Sequence, residues 1–402
     1  MKQSIKLVSV LAALALGATA CANNNSAPSG SASSADAKGP LKVGVIVPLS
    51  GPAGPNGQDV LAAIQVQAGL INDAGGCGGR KIEVLSRDDQ STPATGVSVA
   101  NDLVAEKVDV VMGGWNSPVT LAIQPVLVRA GVLNITSIPQ NSAILGGADP
   151  AAVRMNAGNL VGAHVAAKFI AGELGAKKVA LLVQNDAYGN DAAAGMRAEL
   201  QPRGIEVVTE QKFAFTDTDF RIPLSNIAAA GADVVFSANA AESSGMPAMA
   251  RQLAESTITA KHFAGTGTVS PKVVQLAGGK VIDGLYTADL YFPQQAPFDT
   301  FDKNVAFVKA YGAQHEGQLP DKFRALGAQS IEVWCQAVKN AGSVERQAVA
   351  NAIQGQSFQD TVLGPVSFTK NGQQKFKLYA LEVVDGQLVG EKEISVDDKV
   401  WG

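Results

Sequence analysis

Twice along this chain, short and nearly unbroken apolar runs alternate with stretches of helical spacing, and glycine-rich turns mark the joints. Residues 41–49, LKVGVIVPL, read as a buried strand. Residues 58–73 then place Leu61, Ile64, Ala68 and Ile71 on one helical face, and AGGCGG ends that helix. KIEVLSRDD, a helix at 93–106, VDVVMGG, a helix opening near Ser117 and GVLNITS continue the alternation. It restarts with the helix NLVGAHVAAKFIAGEL and the strand KVALLVQND, followed by a helix at 190–201 and GIEVVTEQKF. A helix near 220–230, ADVVFSANA, a helix at 243–255, AKHFAGTG, a short helix at 271–278 and VIDGLYTAD complete the second array. Strands that are apolar on both faces must be covered on both, which calls for parallel sheets between helices. The expected class is therefore α/β, in two similar lobes with a ligand cleft between them. Helices at 299–314 and 322–341 follow. From Gly364 the pattern changes to alternation, with Asn371-Gly372 and Asp385-Gly386 as hairpin turns, so the chain should end in antiparallel strands.

The first forty residues stand outside this pattern. Lys2 and Lys6 precede an apolar run to Ala20, too short to span a membrane and ending in small residues, as an export signal does. Cys21 follows at once, and GATAC is similar to a bacterial lipoprotein signal in which Cys21 is lipidated. Ala18 stands where leucine is usual, so simple cleavage after Ala20 is the alternative. Residues 21–40 are mostly Ser, Ala, Asn and Gly and suit a flexible tether. The expected location is the periplasm or the outer face of the cell membrane, with the membrane reached by the lipid anchor alone. Cys77 and Cys335 are left, either as a disulfide or as separate buried thiols.

The whole chain carries a formal charge of −4 and shows no basic cluster, which argues against a nucleic acid partner. No nucleophile elbow, HExxH or phosphate loop is present. His164, His262 and His315 share no ligand spacing; His164 suits a packed helix, and the other two suit the surface. Asp88-Asp89 reads as a pair of solvated loop carboxylates. Neither an enzyme nor a metal or other cofactor is expected. A binding site is expected in the loops after the strands, where open α/β sheets hold ligands. Ser117-Pro118 fits a helix cap with proline at the first helical position. Such a helix start can hold a carboxylate, with Trp115 stacked on the ligand. A capped helix with Trp115 packed between lobes is the plainer account. Tyr188 can wall a pocket, and Asp186 can accept from a ligand ammonium or simply form an Asx turn.

KVGVIVPLSGPAGPNG, LINDAGGCGGRKIEVLSRDDQSTP, NDAYG, GADVVFSANA and GPVSFTKNG, in this order behind an export signal, resemble the branched-chain amino acid (Leu/Ile/Val) binding components of ABC importers. The resemblance implies the type I periplasmic binding protein architecture: two Rossmann-like lobes, three hinge crossings, and closure on a solute. It places one lobe at 41–157 and 288–360 and the other at 158–287 and 361–402. It also implies a monomer that delivers a small molecule to a membrane permease and its ATPase. Two departures weaken the amino acid clamp. Where such binders carry Ser-Ala-Thr for the ligand carboxylate, this chain has Ile138-Pro139-Gln140, and where they carry an acid for the ligand ammonium, alignment by eye gives Thr266. Asp186 or Glu242 would have to replace that acid. The expected contacts are Trp115, Asn116, Ser117, Ile138, Gln140, Tyr188, Asn239 and Thr266. The expected solute is a small organic or aromatic acid, an amide or a polar metabolite. A branched-chain amino acid, presentation of a ligand to a sensory receptor, and an exported hydrolase are the alternatives.

Overall fold

The computed structural model describes residues 39–147 and 149–401. The export signal and Cys21 lie outside the described residues. In the first half, strands β1 (Leu41–Val47), β2 (Ile82–Asp88), β3 (Val110–Gly113), β4 (Leu133–Thr136) and β5 (Val153–Arg154) form one parallel sheet in the order β2-β1-β3-β4-β5. Helices α1 (Gly54–Asp73), α2 (Pro93–Ala105) and α3 (Ser117–Ala130) connect its strands. In β1 every residue but Lys42 is buried, as a strand covered on both faces requires.

The second array opens with α4 (Asn159–Gly172) and supplies β6 (Lys178–Gln184), β7 (Glu206–Phe213), β8 (Val234–Ala238), β9 (Lys261–Ala264) and β10 (Leu285–Asp289). Helices α5 (Ala187–Leu200), α6 (Arg221–Ala230), α7 (Gly245–Ala254) and α8 (Pro271–Ala277) lie between them. After α9 (Asp302–Gln314), α10 (Lys322–Ala341) and α11 (Arg346–Asn351) the chain turns to short strands. Strands β11 (Ser357–Phe358), β12 (Val366–Phe368) and β13 (Gln374–Lys375) make a small antiparallel sheet, tied to β5 by a bridge between Arg154 and Gln373. The last two, β14 (Leu378–Val384) and β15 (Gln387–Ile394), join the second sheet, whose order is β15-β14-β10-β9-β8-β6-β7. Five of its strands, β10, β9, β8, β6 and β7, run parallel, and the closing hairpin is antiparallel to β10. Asp385 and Gly386 both have positive φ at its tip, the conformation a two-residue hairpin needs.

Helix α10 is the spine of the molecule. Asp321 caps it by accepting from the backbone of Phe323 and Arg324, and Gly342 closes it in the left-handed region. Most of its residues are buried, and α1 packs along it. A disulfide joins Cys77, in the turn after α1, to Cys335 within α10; their Cα atoms are 5.5 Å apart. Polar groups on this helix are satisfied from several directions. Ser330 Oγ is 2.8 Å from Ser137 Oγ, and Glu332 accepts from Gln67 at 2.7 Å and from Lys303 at 2.9 Å.

Several local expectations give way to packing. Helix α1 begins at Gly54 rather than at residue 58, because Pro55 is tolerated in a first turn. A Cβ on Gly57 would lie 1.8 Å from the Pro48 carbonyl oxygen, so this turn rests directly on the backbone leaving β1. Helix α5 begins at Ala187 because Asp186 caps it, so Tyr188 stands on the first helical turn. His262 is not at the surface: it is buried in β9, its Nε2 2.8 Å from Ser237 Oγ. Asp89 is not solvated either; it is fully buried and accepts from the Ser91 N–H at 2.7 Å. Its neighbour Asp88 accepts from the backbone of Leu49 and Gln90. Helix α11 and β11 arise where no element was expected.

Candidate functional site

Loops from the carboxyl ends of both sheets meet at one small cavity. From the first sheet come Trp115, Asn116 and Ser117 after β3, and Ile138, Pro139 and Gln140 after β4. From the second come Gln184, Asp186 and Tyr188 after β6, Ala240 and Glu242 after β8, and Gly267 and Thr268 after β9. Phe323, on the first turn of α10, completes the wall. The space left is about 30 Å³, room for a water or two. A second cavity of about 250 Å³ adjoins it at Gly267 and Phe323 and is also bounded by Asp289 and Lys322.

The two sides are stitched together here. Trp115 Nε1 donates to the Ala240 carbonyl at 3.2 Å, and its ring packs on Phe323 with centroids 4.8 Å apart. Gln140 Nε2 donates to the Thr266 carbonyl at 3.1 Å, and Ser243 Oγ donates to Asn56 Oδ1 at 2.8 Å. Arg154 holds the loop after β4 from beneath, donating to the carbonyls of Gln140 and Asn141 at 3.2 and 2.8 Å and to Gln373 Oε1 at 2.8 Å.

Six of the eight expected contacts bound this cavity: Trp115, Asn116, Ser117, Ile138, Gln140 and Tyr188. The helix start differs by one residue from expectation. Asn116 is the capping position of α3, and Ser117 is its first helical residue. The Ser117 hydroxyl instead accepts from the N–H groups of Gln140 and Asn141, both at 3.3 Å, so it fixes the neighbouring loop. Asn116 Oδ1 is buried without a hydrogen-bond partner. Asn239 and Thr266 lie behind the wall. Asn239 Oδ1 accepts from the Ala241 N–H at 2.9 Å and shapes the loop after β8. The Thr266 hydroxyl points towards Gly162 of α4, where a Cβ would be 3.0 Å from Oγ1.

The acids divide by environment. Asp186 is engaged by its helix: it accepts from the N–H groups of Tyr188 and Gly189 at 2.9 and 3.1 Å and from the Gln184 amide. Glu242 faces the cavity and is buried, and that burial pushes its carboxyl well above the ordinary value. Burial likewise raises Asp289 to about 6, against the opposing pull of Lys322. Burial, with Asp186 and Glu242 nearby, pushes the Tyr188 phenol up. Lys322 is itself only 2 % exposed, and its Nζ makes no hydrogen bond. It rests 4.3 Å from the centre of the Phe323 ring. Among the described residues, no group of three or more His, Cys, Asp or Glu side chains could hold a metal ion.

Gln184, Lys322 and Phe323 carried no signal in the sequence, whereas Gly267 and Thr268 fall in a loop after a strand, where ligands are expected. Lys322 and Phe323 follow Asp321 at the head of a helix, a position that by itself gives no sign of a cleft formed by loops far away in the chain. Glu242, by contrast, was visible as an acid in the loop after a strand.

The comparisons with known proteins agree with the fold. The family model described as a periplasmic binding protein matches residues 40–387. The Leu/Ile/Val-binding protein homolog 1 of Brucella abortus is 27% identical over 348 residues, covering 84% of this chain and 89% of the relative. An amino acid binding protein of Pseudomonas aeruginosa is 28% identical over 341 residues, covering 84% and 88%. Among solved structures, a leucine binding protein from Thermotoga maritima aligns with a TM-score of 0.80 at 23% identity, covering 89% of this chain and 99% of that one. A solute binding protein of an ABC transporter from Rhodopseudomonas palustris, in complex with 3,4-dihydroxybenzoic acid, aligns with a TM-score of 0.76 at 27% identity, covering 88% and 97%. No helix among the described residues is long and apolar enough to cross a membrane. This chain belongs to the periplasmic binding protein family, a family of solute-binding proteins.

Proposed function

We propose that this protein captures a small polar solute between its lobes and hands it to the permease of an ABC importer. The observation that carries this reading is the shared cavity, walled by loops after β3 and β4 on one side and after β6, β8 and β9 on the other. A solute touching both sides favours the closed arrangement, and the closed surface is what a permease can recognise. The walls must part for any solute larger than water to enter. Strand pairing supports crossings after β5, after β10 and before β14, which would keep β11 to β13 with the first lobe and give β14 and β15 to the second. Lipidation of Cys21 would hold the protein at the membrane on its tether.

The solute is a small organic or aromatic acid, an amide or a similar polar metabolite. Trp115, Tyr188, Phe323 and Ile138 offer an apolar body, while Asn116 and Gln140 offer neutral hydrogen bonds. The relative crystallised with 3,4-dihydroxybenzoic acid supports an aromatic acid. A second reading, a branched-chain amino acid, is favoured by Glu242, the buried acid that faces the cavity. Thermal unfolding of residues 40–402 against amino acids, their des-amino acids, amides, aromatic acids, purines and sugars tests both. A ligand at a hundred times its dissociation constant adds about 2.7 kcal/mol, or roughly 5–10 °C for lobes of this size. If no compound of any class shifts the transition, capture of small solutes is refuted.

A further inference from the structure

We propose that Lys322 is the resident ammonium of the cleft, and that the solute it selects is a carboxylate bearing no ammonium of its own. This rests on the cleft reading above and narrows it to one class. The Lys322 side chain runs from the first turn of α10 to the loop after β9. A Cβ on Gly267 would lie 1.1 Å from Nζ and 2.4 Å from Cε, so the lysine tip fills the space where any other residue at 267 would put its side chain. Gly267 is also where the two cavities meet. The ammonium thus lines the second cavity, beside the glycine that also bounds the solute cavity, nearly sealed from water and with three donors to offer.

A buried ammonium without a hydrogen-bond partner is costly, and an acceptor arriving in the adjoining space relieves it. A ligand carboxylate is the strongest such acceptor. The acids around the site are engaged to different degrees, and Asp289 is the largest charge supporting the Lys322 ammonium against the burial that pushes Lys322 towards its neutral form. Asp186 is held by backbone N–H groups and the Gln184 amide. Asp289 accepts from the Leu290 N–H at 2.6 Å. Glu242 has burial pushing it towards its neutral, proton-donating form, with Lys322 the largest charge acting on it. The same arrangement disfavours a zwitterion. A ligand ammonium entering beside Lys322 would meet a like charge in a buried setting. The loops after β3 and β4 fit this picture, since Asn116 and Gln140 bring neutral groups to the cavity.

The test uses two probes that differ only in the α-ammonium, leucine and 4-methylpentanoate, with benzoate as an aromatic carboxylate. Titration calorimetry is run on the tether-free protein, wild type and Lys322→Met, at pH 7. The wild type should bind 4-methylpentanoate or benzoate at least about tenfold more tightly than leucine. Lys322→Met should weaken the carboxylates by about tenfold or more and narrow or reverse their advantage over leucine. A wild type that prefers leucine overturns the selection by Lys322 while leaving solute capture intact, and needs no variant to show it. Equal carboxylate affinity in wild type and a folded Lys322→Met also overturns it. Binding of none of the three probes, with a purine or sugar bound instead, overturns it together with the acid class.

Discussion

Replacing Trp115 by phenylalanine isolates one bond between the two sides of the cleft. The ring contact with Phe323 is kept, and the hydrogen bond from Nε1 to the Ala240 carbonyl, 3.2 Å long, is lost. In the open state both partners reach water, so the loss falls on the closed state. A net hydrogen bond contributes about 0.5–1.5 kcal/mol, which corresponds to roughly a two- to twelvefold change in the closed-to-open ratio. Under the proposed capture by closure, the dissociation constant should rise by up to the same factor. Trp115→Ala should cost more, because it also removes an aromatic pair contributing about 0.5–1.5 kcal/mol and leaves a cavity beside Phe323. Calorimetry with the tightest probe from the thermal panel gives the affinities, and solution scattering of the unliganded protein gives the mean separation of the lobes. Trp115→Phe should move both in step. An unchanged affinity, with the scattering curve also unchanged, would mean that the Trp115–Ala240 contact does not depend on closure, and the latch argument would be wrong.

Tyr188→Ala and Asn116→Ala should each weaken solute binding by about tenfold or more, since one removes a buried aromatic wall and the other a cavity-facing amide; unchanged affinity in both would place the site elsewhere. Reducing the disulfide, or replacing Cys77 and Cys335 by alanine, opens a loop of 258 residues and should lower the denaturation midpoint by an amount equivalent to about 2–5 kcal/mol; a midpoint insensitive to reductant would contradict this. His262 has its pKa lowered to about 4 by burial, below the ordinary 6.5, so its contribution to stability is present above pH 6.5 and is lost as pH falls towards 4. Relative to His262→Gln, the wild type should therefore lose up to about 3 kcal/mol between those values, read from urea unfolding at several pH values. A constant difference between the two proteins would show that His262 is hydrated. Asp289 and Asp89, both raised to about 6, act in the opposite sense, favouring the fold below pH 3.8 and losing that contribution as pH rises through 6, which is why the His262 comparison is made against its own variant.

The alternation of strand and helix was legible because parallel strands covered on both faces need unbroken apolar runs, as in LKVGVIV and VVFSA. The closing hairpin was legible because Asp385-Gly386 is one of the few pairs that tolerate positive φ at both positions. The loops that face the cleft followed from the rule for the carboxyl ends of strands. What stayed hidden depends on contacts between distant segments. Lys322 reads as an ordinary solvated lysine at a helix start, and only the placement of α10 against Gly267 buries it. His262 and Asp89 look like surface residues in sequence, and Ser237 and the Ser91 N–H reveal otherwise. Asn239 and Thr266 sit beside wall residues in sequence, but each turns away, one to shape its own loop and the other towards α4.

The interleaving of the chain bears on how the molecule is made. The first sheet is complete in sequence by Arg154, yet α1, which covers it, packs on α10, and Cys77 waits for Cys335. The second sheet has its parallel strands by Asp289, yet β10 gains its outer neighbour only when β14 arrives, at Leu378. Neither half can reach its final packing while the carboxyl-terminal quarter is still missing. A chain emerging end first thus lacks the partners of a finished core until nearly its whole length is available, and its folding should depend on long-range pairing. If the first twenty residues act as the export signal they resemble, a fold that cannot be completed early would keep the chain threadable for as long as threading is needed.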